Sequence, residues 1–314
     1  MIDADPGVGD AIAIALAMLD PDVDLLAVTA TAGCVSGSIA SRNLQAVVEL
    51  IDPDKWPRIG ASDADLPLPG GELIPGFLDP VLLNGRMGLG DNPVSVAELH
   101  KRHESVKLLN ELVRQYPQEV TLLTLGPLTN VLAAQERDTE FLSLLRGLVC
   151  LGGSVAVGGD ATAAAEFNIF ANPEAAQSVL RYPTTKTLVP LDAAQQATLT
   201  YEQFERLSDI GIGRAGKAVL HWLQFGLRAA HEHLGSEAFA LREIVALAAV
   251  SHDRLVQTQP MAIDVETQTG LCRGATVFDR RPSRRWRPNI DVVESVDSRG
   301  VLDYFGHMLR RIEF

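Results

Sequence analysis

Apolar runs and amphipathic segments alternate along the first 200 residues of the chain. Short apolar runs predict buried strands at residues 2–5, 23–31, 56–61, 120–125, 148–151 and 187–191. Longer segments between them predict helices at residues 11–19, 38–51 and 103–116. Strands that are apolar throughout are typical of a parallel sheet covered on both faces. The alternation therefore predicts an α/β protein with a doubly wound, mainly parallel sheet and a Rossmann-like core.

The later part of the chain follows a different pattern. Residues 201–250 are mainly helical in pattern and residues 301–312 predict a final helix, so extra C-terminal helices follow the core. A late pair of strands is predicted at residues 261–266 and 275–278. Residues 62–100 are rich in Gly and Pro, and a loop of that length is often functional. No linker or repeat divides the chain, so we interpret residues 1–314 as a single domain.

Composition and charge narrow the classes of function. The chain has 314 residues, is 46% hydrophobic and carries a net charge of −13. This charge argues against binding to a nucleic-acid backbone, and no apolar run reaches the roughly 18–20 residues of a membrane span. Cys34, Cys150 and Cys272 are widely spaced and match no metal-binding pattern. We interpret them as reduced thiols of a cytoplasmic protein, and no signal peptide is visible.

The N-terminal segment carries the clearest candidate chemistry. Asp3, Asp5 and Asp10 lie around a Pro-Gly turn that separates a strand from a wholly apolar helix. We expect Asp5 at the carboxyl end of the strand and Asp10 in the first turn of the helix, where ligands of open α/β sheets bind. Two facing carboxylates repel each other unless a cation lies between them, and oxygen donors favour Ca²⁺ or Mg²⁺. The alternative is that Asp10 only caps the helix and complements its dipole.

Further motifs follow the other predicted strands. They are Leu125-Gly-Pro-Leu-Thr-Asn130, Glu166-Phe-Asn168, Val189-Pro-Leu-Asp192, and Val265-Glu-Thr with Arg273-Gly-Ala-Thr-Val277. With the opening Asp3-Ala-Asp5-Pro-Gly-Val-Gly9-Asp10, these motifs extend over nearly the whole chain. In content and order they resemble the calcium-dependent nucleoside hydrolases, the inosine–uridine-preferring family, whose opening is Asp-x-Asp-Pro-Gly-x-Asp-Asp.

The resemblance implies a set of roles for these residues. Asp5, Asp10 and the main-chain carbonyl of Leu125 would bind Ca²⁺, together with a late acidic residue, substrate hydroxyls and a water. Asp5 would also take a proton from that water, which attacks C1′ as the base leaves, while Glu166 and Asn168 hydrogen-bond the ribose. The implied function is Ca²⁺-dependent hydrolysis of a ribonucleoside or related ribosyl compound in purine or pyrimidine salvage, by a homodimer or homotetramer. The positive charge that such a reaction develops on the sugar suits a carboxylate-lined site.

Several expected substrate contacts depart from the family pattern. Gly9 stands where the family has an Asp that binds the ribose hydroxyls, and Cys34 stands where it has an Asn. Asn84 begins a segment where a His and an Asp are usual, and Asp160 replaces an Asn near the 5′ end of the ribose. A lost hydroxyl partner can cost about 1–3 kcal/mol. The identity of the substrate is therefore left open, and the charge of Asp160 disfavours a 5′-phosphate.

The late acidic ligand has two candidates. His252-Asp253 is the literal dipeptide of the family, but it falls about three helical turns too late and is interpreted as a helix end. The best alignment places Arg242-Glu243 at that position. Glu243 is then the expected metal ligand, and Arg242 replaces a histidine linked to protonation of the leaving group.

Base contacts in the family come from a helical stretch that here carries His221, Trp222, His231 and His233. An indole ring can stack on a base, so Trp222 is the expected contact. Two of the three histidines are expected on the surface or at the edge of the core.

Two other functions compete with this interpretation. A haloacid-dehalogenase-type phosphatase also begins with Asp-x-Asp at a strand end and binds Mg²⁺, but Pro6-Gly7 does not fit its pattern. The second competitor is a catalytically impaired nucleoside- or ribose-binding protein on the same fold. Gly9, Cys34 and Arg242 favour that second function, whereas the retained acids oppose it.

Overall fold

The computed structural model describes residues 1–65, 76–91, 103–207 and 213–312. Within these ranges the strands are β1 Ile2–Ala4, β2 Ala27–Ala30, β3 Arg58–Ala61, β4 His103–Glu104, β5 Thr121–Thr124, β6 Gly147–Leu151, β7 Lys186–Val189, β8 Thr198–Thr200, β9 Ala238–Ala240, β10 Val256–Met261, β11 Ile263–Val265, β12 Thr276–Phe278 and β13 Ile290–Val296. The helices are α1 Val8–Leu19, α2 Gly37–Ile51, α3 Val81–Asn84, α4 Ser105–Gln115, α5 Thr129–Arg137, α6 Phe141–Leu144, α7 Phe167–Ala171, α8 Pro173–Arg181, α9 Leu191–Ala194, α10 Tyr201–Leu207, α11 Arg214–Leu234, α12 Arg242–Ser251 and α13 Ser298–Leu309.

A nine-stranded sheet in the order β10-β13-β7-β6-β5-β1-β2-β3-β4 forms the centre of the protein. Its neighbouring strands are parallel except for β10 and β13, which run antiparallel. Two small antiparallel pairs, β8 with β9 and β11 with β12, lie outside it. The predicted doubly wound, mainly parallel sheet is confirmed, and the predicted late strand pair corresponds to β11 and β12.

Alternate residues of the central strands enter two separate hydrophobic clusters. Leu123 and Val149 belong to the cluster formed with α1, α2, α12 and α13. Leu122 and Leu148 belong to the cluster formed with α4, α5 and α8. Because successive side chains of a strand point to opposite faces, the apolar runs in the sequence cover both faces of the sheet with helices.

The edge strand β10 was not predicted from the sequence. Residues 256–261 read Val-Gln-Thr-Gln-Pro-Met, which lacks the apolar run of a buried strand, and most of their side chains are at least partly exposed. Pro260 is tolerated because edge strands leave one row of N–H groups unpaired. The strand predicted at 261–266 is divided between the end of β10 and β11. Part of the predicted loop at 62–100 lies outside the described residues.

The sheet changes direction at β1, which lies between β5 and β2. The chain continues from β1 through β2 to β4 on one side, then returns to β5 and continues through β7 on the other. Such a switch point opens a crevice at the carboxyl ends of the strands. Asp5, Cys34 and Leu125 follow β1, β2 and β5 and therefore meet at this crevice. None of the helices in the described ranges is both long and apolar enough to cross a membrane.

Phe305 tests the packing of α13 against the core. Its side chain is buried in the cluster that also contains Ile12 of α1 and Leu247 of α12. Phe305→Ala should lower the free energy of unfolding by about 3–5 kcal/mol, because it removes the ring and leaves a cavity. Denaturant unfolding followed by circular dichroism measures the change. The control Leu271→Ala removes a side chain that is 89% exposed and should change the free energy by less than about 0.5 kcal/mol; equal effects would contradict this packing.

Candidate active site

A cavity of about 650 Å³ opens at the carboxyl ends of β1, β2, β5 and β6. Its volume lies within the range of small-molecule sites. Most of the predicted site residues line it: Asp5, Asp10, Cys34, Asn84, Leu125, Asp160, Glu166, Asn168, Arg242 and Glu243. A second group of lining residues, from α11 and β9, is small or apolar and includes Gly226, Ala229, Ala230 and Phe239. The cavity thus joins a polar, carboxylate-rich wall to an apolar wall.

The carboxylate of Asp5 is held closely by the backbone of neighbouring strand ends. Its Oδ2 accepts a hydrogen bond from the Cys34 N–H at 2.5 Å, and its main-chain oxygen accepts one from Cys34 Sγ at 2.7 Å. A Cβ atom on Gly33 would lie 2.0 Å from Oδ2, and one on Gly126 would lie 2.4 Å from Oδ1. Both positions must therefore be glycine for Asp5 to keep this place. Cys34 contributes a hydrogen-bonded support for Asp5 as well as lining the cavity.

Burial raises the pKa of the acids around α1. Burial and then the charge of Asp3 raise the pKa of Asp5 to about 7. Burial, followed by the charges of Asp5 and Glu243, raises the pKa of Asp10 well above its usual value. Burial also raises the pKa of Glu243. Each acid resists ionisation because it is desolvated and because like charges lie near it.

The residues present fit an oxygen-coordinated cation. Asp5, Asp10 and Glu243 supply carboxylates, and the Leu125 carbonyl is a neutral oxygen donor on the same cavity wall. A cation would offset the repulsion that raises the pKa of Asp10. No three His, Cys, Asp or Glu side chains in the described part of the chain are grouped so as to hold an ion by themselves. The carbonyl and oxygens of a bound ligand would therefore have to complete the shell, as is usual for Ca²⁺.

Glu166 and Asn168 are fixed at the start of α7. Glu166 Oε2 accepts hydrogen bonds from the N–H groups of Gly153 at 2.8 Å and Ile169 at 3.2 Å, so this side chain caps the helix. Burial and then the charge of Asp160 raise its pKa to about 8. Asn168 Nδ2 donates to the carbonyls that follow β5 and end β6, those of Leu125 at 2.6 Å and Leu151 at 3.0 Å.

Arg242 and Asp160 form an ion pair at the cavity wall. Arg242 Nη1 lies 2.5 Å from Asp160 Oδ2, and the side chains are 20% and 17% exposed. Asp160 Oδ1 also accepts a hydrogen bond from the Phe167 N–H at 2.9 Å. Burial lowers the pKa of Arg242, but the nearby carboxylates raise it by more, and Asp160 has the largest effect among them. The net shift of the Arg242 pKa is therefore upward. Two departures from the family pattern are thus partners, and the guanidinium offsets the charge of Asp160.

Asn84 links the loop region to the first turn of α1. Its Oδ1 accepts a hydrogen bond from the Val8 N–H at 3.0 Å, and its Nδ2 donates to the Pro80 carbonyl at 3.2 Å. The side chain therefore satisfies one of the free N–H groups at the start of the helix that carries Asp10.

Trp222 does not line the cavity. Its side chain is fully buried in the hydrophobic cluster, and its Nε1 has no hydrogen-bond partner among the described residues. The three histidines of α11 also lie outside the cavity lining; His221 hydrogen-bonds the Gly90 carbonyl and His231 lies 3.2 Å from Glu237. Phe239 of β9 packs against Gly226 of α11 and lines the cavity. It was not identified from the sequence, because no motif surrounds it.

The fold and the cavity define a doubly wound α/β enzyme whose small-molecule site is built from buried carboxylates at the switch point of the sheet. The sequence model of the inosine-uridine preferring nucleoside hydrolases matches residues 1–303. The chain belongs to this family.

Individual relatives agree with this assignment. Uridine nucleosidase 1 of Arabidopsis thaliana is 33% identical, with 97% of this chain and 90% of the relative covered. A pyrimidine-specific ribonucleoside hydrolase RihA of Shewanella sp. (strain MR-7) is 31% identical, with 96% and 93% covered. The plant nucleoside hydrolase PpNRh1 has a TM-score of 0.84 at 28% identity, with 98% of each chain covered. The purine-preferring ribonucleoside hydrolase from Gardnerella vaginalis shares the fold, with a TM-score of 0.86 at 24% identity and coverage of 99% and 98%.

The raised pKa of Glu166 predicts how stability depends on pH. Between its usual pKa of 4.5 and the folded value of about 8, the folded protein keeps a proton that the unfolded chain has lost. Stability without metal should therefore fall as the pH rises from about 5 to about 8. Glu166→Gln should weaken this dependence, since the amide cannot ionise.

Melting temperatures in EDTA across this pH range test the expectation. The control Glu174→Gln changes an acid whose pKa is lowered by its hydrogen bond to Arg273, so it should not flatten the decline. A Glu166→Gln curve parallel to that of the wild type would contradict the assignment of the proton to Glu166.

Proposed function

We propose that this protein is a Ca²⁺-dependent N-ribohydrolase that converts a ribonucleoside or related ribosyl compound and water into ribose and free base. The observation that carries the proposal is the convergence of Asp5, Asp10, Glu243 and the Leu125 carbonyl on one wall of the cavity. These residues would hold the ion. When bound, Ca²⁺ would bind the sugar hydroxyls and increase the acidity of a water beside them.

Asp5 is the proposed general base. Burial raises its pKa to about 7 in the ion-free protein, and a bound cation would lower that pKa, so Asp5 would be ionised and able to accept a proton near neutral pH. The hydrogen bond from the Cys34 N–H holds Oδ2 in place. Gly33 and Gly126 have no side chains, so they leave room for the Asp5 carboxylate. Asp5 would accept a proton from the water that attacks C1′. Ca²⁺ acidifies water only weakly, so this base is needed.

Glu166 and Asn168 are the proposed ribose contacts. Burial raises the pKa of Glu166 to about 8, so near neutral pH it would act as a hydrogen-bonding group rather than as a charge. The ion-binding carboxylates would supply the negative charge that stabilises the sugar during N-glycosidic cleavage. Glu166 is held by two backbone N–H groups and Asn168 by two carbonyls, so neither side chain has to reorganise when the sugar arrives. Asp160, Asn84 and Cys34 are proposed to complete the sugar side of the cavity.

The apolar wall would hold the base. Gly226 of α11 leaves room for the Phe239 ring, which lies against it, and that ring can stack on a planar heterocycle in the cavity. Arg242 retains its proton, because its pKa is raised by Asp160. The leaving base would therefore take its proton from water or depart as an anion stabilised by the guanidinium, rather than be protonated by residue 242.

The names of the relatives guide the choice of substrates. Uridine nucleosidase and pyrimidine-specific ribonucleoside hydrolase are names of similar proteins. We therefore place uridine and cytidine first in a substrate panel, followed by inosine and modified nucleosides. A role in nucleoside salvage, a cytoplasmic location, a single domain and a homodimeric or homotetrameric state are part of the same proposal.

A reducing-sugar assay across this panel tests the proposed function. Ribose should be released in the presence of Ca²⁺ and not after treatment with EDTA. Release without Ca²⁺ would contradict the metal dependence, and no release from any nucleoside would favour the alternative of a ribose-binding protein.

Asp10→Ala should reduce Ca²⁺ affinity below detection by calorimetry and lower kcat/KM by about 10³-fold or more, because it removes a charged ligand. Asp3→Asn is the matched variant, since Asp3 is buried nearby but does not line the cavity. It should retain measurable Ca²⁺ binding. Unchanged affinity in Asp10→Ala would contradict the metal assignment.

Glu243→Ala should weaken Ca²⁺ binding by about 10–100-fold, whereas Asp253→Ala should not change it. Asp253 lies in a short 3-10 helix after α12 and does not line the cavity. Calorimetric titration of both variants decides between the two late acids, and loss of binding only in Asp253→Ala would reverse the assignment.

A further inference from the structure

Gly9 is the second residue of α1, and the backbone does not explain why it is glycine. Its φ angle lies outside the left-handed region that favours glycine. Glycine is also among the poorest helix formers, so this position costs helix stability relative to alanine. The reason for glycine must lie in what approaches it.

The carboxylate of Glu243 occupies the space beside Gly9. A Cβ atom on Gly9 would lie 2.1 Å from Oε2, 2.3 Å from Cδ and 2.7 Å from Oε1 of Glu243. Real Cβ atoms do not come this close to other heavy atoms, so residue 9 can have no side chain while Glu243 keeps its position. The whole carboxylate, rather than the edge of its aliphatic stem, lies against the first turn of α1.

We infer that Gly9 is a positioning residue, which acts by leaving room for the Glu243 carboxylate over the first turn of α1. The proposal rests on the proposed function, in which Glu243 is a metal ligand. Its consequence for the site is that carboxylates from α1 and α12 face each other across position 9. The electrostatics agree, because the charge of Glu243 acts on Asp10, the next residue of α1.

No salt bridge from Arg242 holds Glu243 in this place among the described residues. The guanidinium of Arg242 lies 2.5 Å from Asp160 instead. The Glu243 carboxylate is hydrogen-bonded by its own backbone, and this position is possible only because residue 9 has no side chain. A side chain at residue 9 would push that carboxylate away from Asp10.

The structure also separates this role from a role in folding. The atoms that a Cβ would meet are the far end of a flexible side chain, which can rotate away at little cost to the fold. Gly9→Ala should therefore leave the fold intact, and the helix should gain stability. The metal site should lose one correctly placed carboxylate.

Gly306 offers a matched control. It lies within α13, and a Cβ placed on it would meet nothing within 4 Å. Gly306→Ala should stabilise its helix without touching the cavity. The two variants thus make the same chemical change in two helices, and only one of them faces Glu243.

The experiment compares wild type, Gly9→Ala, Gly306→Ala, Glu243→Asp and the double variant Gly9→Ala/Glu243→Asp. Melting temperature in EDTA, Ca²⁺ affinity by calorimetry and kcat/KM on the best nucleoside of the panel are measured for each. Both Gly→Ala variants should melt at the wild-type temperature or about 2 °C above it. Gly9→Ala should bind Ca²⁺ about 10–100-fold more weakly, and Gly306→Ala should bind it like the wild type.

The double variant tests the steric mechanism directly. Aspartate is one methylene shorter than glutamate, so its carboxylate withdraws from position 9 and no longer meets the alanine. Adding Gly9→Ala to Glu243→Asp should therefore change Ca²⁺ affinity by less than about threefold, which is a strong departure from additivity.

Three results would overturn the inference: unchanged Ca²⁺ affinity in Gly9→Ala, a melting temperature of Gly9→Ala below that of the wild type, or an additive loss in the double variant. A wild-type protein that neither binds Ca²⁺ nor hydrolyses a nucleoside would overturn the proposed function and this inference with it. A functional wild type with an equally functional Gly9→Ala would overturn the inference alone.

Discussion

Repulsion among buried carboxylates is the constraint on which the site depends. Asp5, Asp10 and Glu243 reach one cavity from three different elements. Burial raises the pKa of all three, and the charges of Asp5 and Glu243 raise that of Asp10 further. Folding has to bring these acids together against that repulsion. A protein gains nothing from such an arrangement in itself, which is why we connect it with a cation and with a reaction that develops positive charge.

The sheet provides the place where this repulsion can be maintained. β1 lies between β5 and β2, and loops at the carboxyl ends of these strands bring main-chain groups close to Asp5. Gly33 and Gly126 permit that approach because any side chain there would meet the carboxylate. The scaffold is covered on both faces by helices, so the cost of burying these charges is offset by a large apolar core.

Local patterns were sufficient to predict where Asp5 and Asp10 lie, whereas Leu125, Glu166, Asn168 and Glu243 were assigned through the resemblance to the family. The positions of Asp5 and Asp10 follow from a strand end, a Pro-Gly turn and an apolar helix, all of which lie within the first 19 residues. The pairing of Arg242 with Asp160 could not be predicted in this way, because the two residues are 82 positions apart and each was read as a separate departure from the family pattern. Only the three-dimensional structure shows that they compensate each other.

Trp222 shows the limit of helical spacing. It lies one turn before Gly226 on the same buried face of α11. At Trp222 this face packs in the core, whereas from Gly226 onward it lines the cavity. Periodicity identifies the buried face and not the point at which that face reaches the site. The polar edge strand β10 escaped prediction for a related reason, since its partner β13 rather than its own composition makes it a strand.

The hydrogen bond from the Val8 N–H to Asn84 has a thermodynamic consequence. The side chain that completes the start of α1 belongs to a segment at the cavity wall, not to the helix itself. Any displacement of that segment uncovers the N–H and loosens the turn that carries Asp10. A ligand that keeps the segment in place therefore also orders Asp10. In the proposed function, an ion bound at Asp10 would by reciprocity increase the affinity for that ligand.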